Sequence, residues 1–322
     1  MQRRLNILIA CEESQACCRA FRELGHNAYS CDLFECSGTF FGEERVEAHP
    51  EWHFNHDITT VLNRTDLTLQ NGEQAIIEGD WDLMVAHPPC TYLAVSGAKW
   101  YYHPDDKELP VNQRRPHPRF PNRAQDREDA RNFFMFLANA NVRRIAIENP
   151  VGIMSTQWRK ADQSIQPYMF GDPYSKNTCL WLKNLRPLHP SNETDDKGEF
   201  VFFNSGKKQA KWYSDGLTKT KNAQERQKWR SKTFPNIARA IAEQWIIQIA
   251  AEENLFNEEE LAIIGNDYLE ILDKMTGGIR YTTSEVNEHL EKKKCPTYFN
   301  QDLINEIEQR EQALINFWKN GN

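Results

Sequence analysis

The chain has 322 residues, of which 39% are hydrophobic and 26% charged, and its formal net charge is −7. That length suits one large α/β domain with a smaller appendage. No apolar run reaches membrane-spanning length, no signal peptide is recognisable, and the eight cysteines lack Cys-x-x-Cys pairs, so we expect a cytoplasmic protein with no membrane segment, disulfide framework or zinc site.

The amino-terminal segment predicts a strand, a helix and a second strand. Residues 5–10 form an apolar run, residues 17–24 keep the apolar spacing of a helix, and residues 27–31 predict a strand that ends at Asp32. This order is typical of the mononucleotide-binding half of a Rossmann-like sheet, in which an acid after the second strand binds the ribose hydroxyls.

Two further apolar runs end in residues that can do chemistry. Residues 83–90 finish in Pro-Pro-Cys, and the prolines predict a stop that leaves Cys90 at the carboxyl edge of a parallel sheet, where such sheets bind ligands. Residues 143–150 repeat the design and finish in Glu-Asn-Pro, which begins at Glu148. Taken alone, each has an ordinary interpretation, a small buried cysteine and a turn. Together they predict a thiol and a carboxyl on strands that could be neighbours.

The pair resembles the cytosine-C5 DNA methyltransferases, most closely their small phage-type members, which carry a Pro-Pro-Cys loop and a glutamate motif in this order. The resemblance implies an α/β fold with a Rossmann-like S-adenosylmethionine-dependent methyltransferase sheet over residues 1–250. It also implies that Cys90 attacks C6 of cytosine while Glu148 holds N3, so that C5 accepts a methyl group. Desolvation under a stacked base is expected to raise the pKa of Glu148.

The same resemblance implies where S-adenosylmethionine would bind. Asp32 would bind the ribose, Asp57 would meet the adenine amino group, and Pro88 would line the site. The first turn departs from the family, because it has Glu12 and Glu13 where glycines are usual. These two acids could face the cationic sulfonium, or they could cap the first helix. No metal ligands are predicted.

Basic residues concentrate in the middle of the chain. Residues 99–239 hold 26 basic and 15 acidic residues, a net charge of +11, whereas the segments before and after them are each −9. This asymmetry predicts a polyanionic partner, DNA by the resemblance, or else a solvated surface. We expect a mobile basic loop at 99–131 and a short target-recognition insert at about 183–232. The predicted nucleic-acid contacts are Arg114, Arg115, Arg119, Arg123, Lys176, Lys207 and Lys208.

Residues 251–322 are acidic and predict a helical appendage outside the resemblance. It could pack on the main domain, form a homo-oligomer or bind a partner protein. Before it, a long helix is predicted with one apolar face. That face is marked by Ile237, Ile241, Trp245 and Ile249, and the appendage helices by Leu269, Ile271, Leu272, Met275, Leu303, Ile304, Ile307 and Leu314.

The sequence leaves three functions open. The first is an S-adenosylmethionine-dependent DNA cytosine-C5 methyltransferase. The second is a catalytically silent nucleic-acid-binding protein on the same fold, because the first turn lacks glycines and two family arginines are replaced by Lys176 and Thr178. The third is an enzyme that transfers another group to cytosine C5 in DNA, RNA or a nucleotide.

Overall fold

A seven-stranded sheet forms the centre of the computed structural model, which describes residues 1, 3–38, 47–265, 267, 268, 270 and 301–320. Its strands are β1 (Asn6–Ala10), β2 (Asn27–Cys31), β3 (His53–Phe54), β4 (Leu83–Ala86), β5 (Arg144–Asn149), β6 (Gln163–Ile165) and β7 (Thr178–Lys183). The strand order is β3-β2-β1-β4-β5-β7-β6, and β7 alone runs antiparallel to its neighbours. This sheet confirms the predicted Rossmann-like methyltransferase fold.

Helices cover both faces of the sheet. They are α1 (Ala16–Glu23), α2 (Ile58–Leu62), α3 (Arg123–Ala138), α4 (Met154–Gln157), α5 (Lys211–Asp215), α6 (Ala223–Ser231), α7 (Pro235–Glu252), α8 (Glu258–Ile264) and α9 (Gln301–Asn320). None of these described helices is long and apolar enough to cross a bilayer.

Alternate residues of the central strands enter two separate cores, as the twofold repeat of a strand requires. Ile7 and Ile9 of β1 join the core that contains α1 and α7. Leu8 and Ala10 join the core formed with α2 and α3. Because helices cover both faces of the sheet, the sequences of β1 and its neighbouring strands are nearly continuous apolar runs instead of alternating apolar and polar residues.

The predicted apolar face of α7 is buried, but so is the rest of the helix. Ile241 and Trp245 of the predicted face are each 1% exposed, and Ala242 and Ile246 beside it are fully buried. The reason is that α7 packs against both α1 and α9, so the C-terminal helices cover a surface that the sequence pattern left to solvent.

The described part of residues 251–322 packs on the main domain. Ile307 and Leu314 of α9 are fully buried in the core that also contains α7. The hydroxyl of Tyr268 donates to Oε1 of Glu311 at 2.5 Å, and Nε2 of His189 lies 3.2 Å from the other oxygen of that carboxylate. These contacts favour packing among the three roles considered for the appendage. Leu269, Ile271, Leu272 and Met275, and the side chains of Leu303 and Ile304, lie outside the described residues.

The predicted insert at 183–232 contains little regular structure. A two-stranded hairpin of β8 (Phe200–Phe202) and β9 (Lys208–Ala210) precedes α5 and α6. The indole of Trp229 donates to the carbonyl of Trp212, which is itself buried, so the two short helices are held to each other.

Candidate active site

Three strand ends bring the candidate residues to one edge of the sheet. Ala10 of β1 is paired with Ala86 of β4, and Ala86 is paired with Ile147 of β5. The residues that follow Ala86 and Ile147 are His87 and Glu148, which therefore lie side by side. The backbone N–H of His87 donates to the carbonyl of Ala10 at 2.9 Å, which fixes the start of the loop that carries the cysteine.

The cysteine loop and the glutamate turn are joined through their backbones. The side-chain amide of Asn149 donates to the carbonyl of Pro88 at 2.8 Å. Further along, the N–H of Ile153 donates to the carbonyl of Leu93 at 2.9 Å, and Ala94 forms an antiparallel bridge with Gly152. The two motifs are therefore neighbours in space, as their positions after adjacent strands predicted.

Cys90 is solvent-exposed at the open edge of the sheet. Desolvation there and the nearby carboxylate of Glu148 raise the pKa of Cys90, while Lys176 and Arg230 oppose that rise. The cysteine is therefore accessible, and its raised pKa favours the thiol form, although two cations oppose that rise.

Glu148 differs from the expectation. Burial alone would raise its pKa, but the ammonium of Lys176 and the imidazole of His87 outweigh burial, so the pKa is lowered. Nζ of Lys176 lies 3.9 Å from Oε1 of Glu148, and Nδ1 of His87 lies 3.3 Å from Oε2. Glu148 is thus an ionised carboxylate between the Lys176 ammonium and the His87 imidazole, and Lys176 lies at this site rather than on an outer surface.

His87 was not among the predicted site residues, and it connects Glu148 to the first turn. Its Nε2 lies 3.8 Å from Sγ of Cys17. The oxygens of Glu12 accept from the backbone N–H groups of Cys17 and Cys18, at 2.7 and 3.2 Å, so Glu12 caps α1. Burial raises the pKa of Glu12, against the opposing effects of His87 and these N–H donors. The cap interpretation therefore applies to Glu12.

Donor atoms of Glu12, Cys17 and His87 lie within 4.8 Å of one another, as metal ligands do. Both oxygens of Glu12 already accept hydrogen bonds, and the amino end of a helix disfavours a cation. We therefore describe the group as a helix cap and assign no metal to it.

The first turn takes a glycine-like backbone without glycine. Cys11 and Gln15 have φ angles of 61° and 64°, in the left-handed region that costs an L-residue about 1 kcal/mol or more. Gln15 is fully buried and held on both sides, because its Oε1 accepts from the N–H of His49 at 2.8 Å while its Nε2 donates to the carbonyl of the same residue at 2.9 Å. These bonds keep the turn that the family builds with glycines.

The predicted cofactor acids lie along this edge with different surroundings. Oδ1 of Asp32 accepts from the N–H of Phe34 at 3.0 Å, and burial raises the pKa of Asp32. Asp57 is exposed and caps α2 by accepting from the N–H of Thr59 at 2.8 Å. Glu13 is 8% exposed, and its buried Oε2 has no hydrogen-bond partner among the described residues. Glu13 is therefore the acid best suited to receive a cationic ligand.

The basic residues of the loop after Cys90 have unequal access to solvent. Arg119 is exposed, whereas Nε and Nη2 of Arg115 both donate hydrogen bonds to the carboxylate of Asp106. Arg114 donates to the carbonyls of Leu109 and Lys107 within its own loop, each at 2.7 Å. Arg119 is therefore the member of this group best placed to meet a phosphate.

Arg123 does not lie on a nucleic-acid surface, contrary to prediction. It is 7% exposed, its guanidinium donates to the carbonyl of Thr91 at 3.1 Å, and its Cζ lies 5.2 Å from the ring centre of Tyr101. Nor are residues 99–131 a continuous loop, because α3 begins at Arg123. Cation–π contacts, including Arg127 at 4.3 Å from the same ring, fold the segment into a compact support for the cysteine loop.

A basic helix of the insert, α6, approaches the segment that carries Asp32 and Phe34. Nζ of Lys228 lies 4.8 Å from the ring centre of Phe34, and its charge acts on Asp32. Beyond the end of α6, burial lowers the pKa of Lys232, against the effect of Glu13. The sequence predicted only that this segment is basic, because Phe34 and Asp32, which Lys228 approaches, lie almost 200 residues earlier in the chain. On the hairpin, Lys207 and Lys208 are exposed, as the predicted role requires.

Comparisons with known proteins give little further identification. No protein-family model and no curated protein matches the chain. One solved structure that it resembles is described as a "putative DNA modification methyltransferase" encoded within an E. coli prophage, with 11% identity and a TM-score of 0.30 over 67% of this chain and 68% of that chain. The fold assignment therefore rests on the strand order, and the function on the site residues.

Proposed function

We propose that this chain is a DNA cytosine-C5 methyltransferase that uses S-adenosylmethionine, with Cys90 as nucleophile and Glu148 as the acid that holds the cytosine ring. The observation that carries the proposal is the joining of two chemically matched motifs. An accessible thiol and a carboxylate lie at adjacent strand ends, and the bond from Asn149 to Pro88 and the bridge at Gly152 hold their loops together.

The residue types suit the reaction. The thiol of Cys90 loses its proton to solvent and its sulfur adds to C6 of the base, and the electrons displaced from the C5–C6 bond move towards N3, which takes a proton delivered through Glu148. C5 is then nucleophilic enough to take a methyl group. Transfer of the C5 proton to solvent water and departure of the Cys90 thiolate restore the aromatic ring. Because a base inside a duplex cannot reach this cleft, the target cytosine would be extruded.

The cofactor edge offers suitable groups for S-adenosylmethionine, which when bound supplies an electrophilic methyl group. Asp32 and Asp57 would bind the ribose and the adenine amino group, and Pro88 would line the site. The unpartnered Oε2 of Glu13 would face a cationic part of the molecule. The pKa of Asp32 is raised by burial against the charge of Lys228, and hydrogen bonds donated by a bound ligand would further stabilise its carboxylate.

DNA is the proposed polymer substrate. The exposed Arg119, Lys207 and Lys208 would contact phosphates, and the +11 charge of residues 99–239 would attract the strand. Lys176 acts instead beside the ring-holding carboxylate.

A silent nucleic-acid-binding protein is the second candidate. The glycine-free first turn favours it, because Cys11 and Gln15 carry side chains in a turn where the family has glycines. Calorimetry with S-adenosylmethionine and with its demethylated product, with and without DNA, separates the candidates. Uptake of either supports the enzyme, and no uptake under any condition supports the silent binder.

The direct test is methyl transfer in vitro. The purified chain, DNA of mixed sequence and isotope-labelled S-adenosylmethionine should yield labelled 5-methylcytosine, detected by mass spectrometry of the digested nucleosides. Glu148→Gln should reduce the yield by about a hundredfold or more, since an amide cannot supply the proton. A different modified nucleoside would show that the transferred group or atom was assigned wrongly.

A further inference from the structure

The carboxylate of Glu148 has to change its protonation state during the proposed reaction. In this structure it is ionised, since Lys176 and His87 lower its pKa. The N3 lone pair of cytosine and the ionised carboxylate are both hydrogen-bond acceptors, so they cannot bond to each other directly. A proton must therefore be delivered to one of them. The structure places a donor for that proton directly behind the carboxylate.

We propose that His87 is the positioning residue of Glu148, holding the carboxylate at the strand end and passing it the proton that N3 requires. This inference rests on the proposed function. The geometry is local and rigid, because His87 follows β4 as Glu148 follows Ile147 of the paired strand. Its Nδ1 lies 3.3 Å from Oε2 of Glu148, and its backbone N–H is fixed to Ala10.

Groups that can accept a proton or a hydrogen bond face both ring nitrogens of His87. On the side of α1, the buried Glu12 carboxyl and the Cys17 thiol face its Nε2. On the side of β5, Glu148 faces Nδ1. The nearest cation on the far side of Glu148 is Lys176, which contacts Oε1 rather than the imidazole. Cys90 on the loop and Cys179 on β7 are further titratable groups near Glu148, whose charge raises the pKa of each.

The proton transfer balances within these residues and the base. The N–H bond at Nδ1 breaks and an O–H bond forms on Glu148, which leaves a neutral imidazole and a neutral carboxyl. As the Cys90 thiolate adds to C6, the displaced electron pair at N3 takes that proton and Glu148 becomes a carboxylate again. When the ring regains aromaticity, N3 returns the proton to Glu148 and from there to Nδ1.

A carbon-13 NMR titration of the Glu148 carboxyl tests the coupling without reference to activity. The wild type, His87→Asn and the distant His56→Asn control are compared, because asparagine can still donate a hydrogen bond but carries no titrating proton. We expect ionisation of Glu148 to shift to higher pH in His87→Asn and to stay unchanged in the control. An unshifted titration in His87→Asn overturns the inference.

Kinetics then separate proton supply from a merely structural role. We expect His87→Asn to lower kcat by about a hundredfold or more with little change in KM for DNA, and to change the pH dependence of kcat relative to the wild type. Equal losses in kcat and DNA binding, or an unaltered pH profile, would contradict the role. A wild type without any methyl transfer would refute the proposed function instead, and the NMR result would still decide whether His87 controls Glu148.

Discussion

Gly152→Ala is expected to separate the two catalytic motifs. A Cβ built on Gly152 would lie 2.3 Å from the carbonyl oxygen of Leu93 and 2.9 Å from its carbonyl carbon, whereas ordinary contacts begin at 3.4 Å. The Leu93 carbonyl therefore has to move by about 1 Å, and it cannot turn into solvent because Leu93 is 1% exposed. The N–H of Leu93 donates to the carbonyl of Cys90, so the displacement reaches the nucleophile.

Two magnitudes follow from that displacement. Overpacking a buried backbone contact of this kind costs about 1–3 kcal/mol of stability. A shift of about 1 Å in a reacting group costs roughly a hundredfold in rate. We therefore expect Gly152→Ala to fold with a lowered melting temperature and to transfer methyl groups about a hundredfold more slowly than the wild type.

The matched control is Val151→Ala, which truncates a side chain that is 42% exposed and leaves the backbone bond from Val95 to its carbonyl intact. It should melt and react much as the wild type does. Thermal unfolding and single-turnover transfer on the same preparations provide the measurement. A Gly152→Ala variant with wild-type stability and rate would refute the reasoning, because the loop and the turn would not be in the contact described here.

Three further predictions test other parts of the molecule. Asp32→Ala should weaken S-adenosylmethionine binding by about 1.5–3 kcal/mol in calorimetry and leave DNA affinity unchanged. Arg119→Met should lower DNA affinity and reduce its salt slope by about 1, whereas Arg123→Met should cost about 2 kcal/mol in urea unfolding without altering that slope. Glu311 and Glu308 raise the pKa of His189 against the effect of burial. The ion pair of His189 should therefore contribute fully to the free energy of unfolding below about pH 6.5, the pKa of an unperturbed histidine. That contribution should be lost as pH rises through the folded-state pKa of His189. His189→Gln should remove this pH dependence from the unfolding free energy; a retained dependence would contradict the assignment.

Local pattern was sufficient for the sheet and for the approach of the Cys90 loop to the Glu148 turn. Apolar runs stopped by proline predicted that Cys90 and Glu148 follow buried strands, and parallel strands present their carboxyl ends at one edge. The acid after β2 was predicted by the same logic. These features depend on residues within one run, which is why a single sequence contains them.

Contacts between distant segments were not predictable in this way. The pKa of Glu148 falls rather than rises because Lys176, 28 residues away, is brought to it by the antiparallel β7. The sequence predicted Arg123 as a phosphate contact, because an arginine beside aromatic residues can either bind nucleic acid or form a buried cation–π cluster. Only the tertiary packing decides between these two roles.

The role of His87 shows the same dependence on tertiary structure. A histidine before two prolines carries no signal of its own, since its partners are about 60 residues later in β5 and 70 residues earlier in α1. The glycine-free first turn, by contrast, left a visible departure in the sequence. What could not be read there was that Gln15 holds the left-handed backbone through its bonds to His49.

The most direct test of the central claim is covalent trapping of Cys90 by a cytosine that cannot complete the reaction. DNA containing 5-fluorocytosine, incubated with the chain and S-adenosylmethionine, should form a complex that survives denaturation, because fluorine at C5 blocks release. Peptide mapping should locate the adduct at Cys90, Cys90→Ser should abolish it, and Cys36→Ser, at another partly exposed cysteine, should retain it. An adduct that persists in Cys90→Ser, or a wild type that transfers methyl groups to cytosine without forming one, would contradict the account.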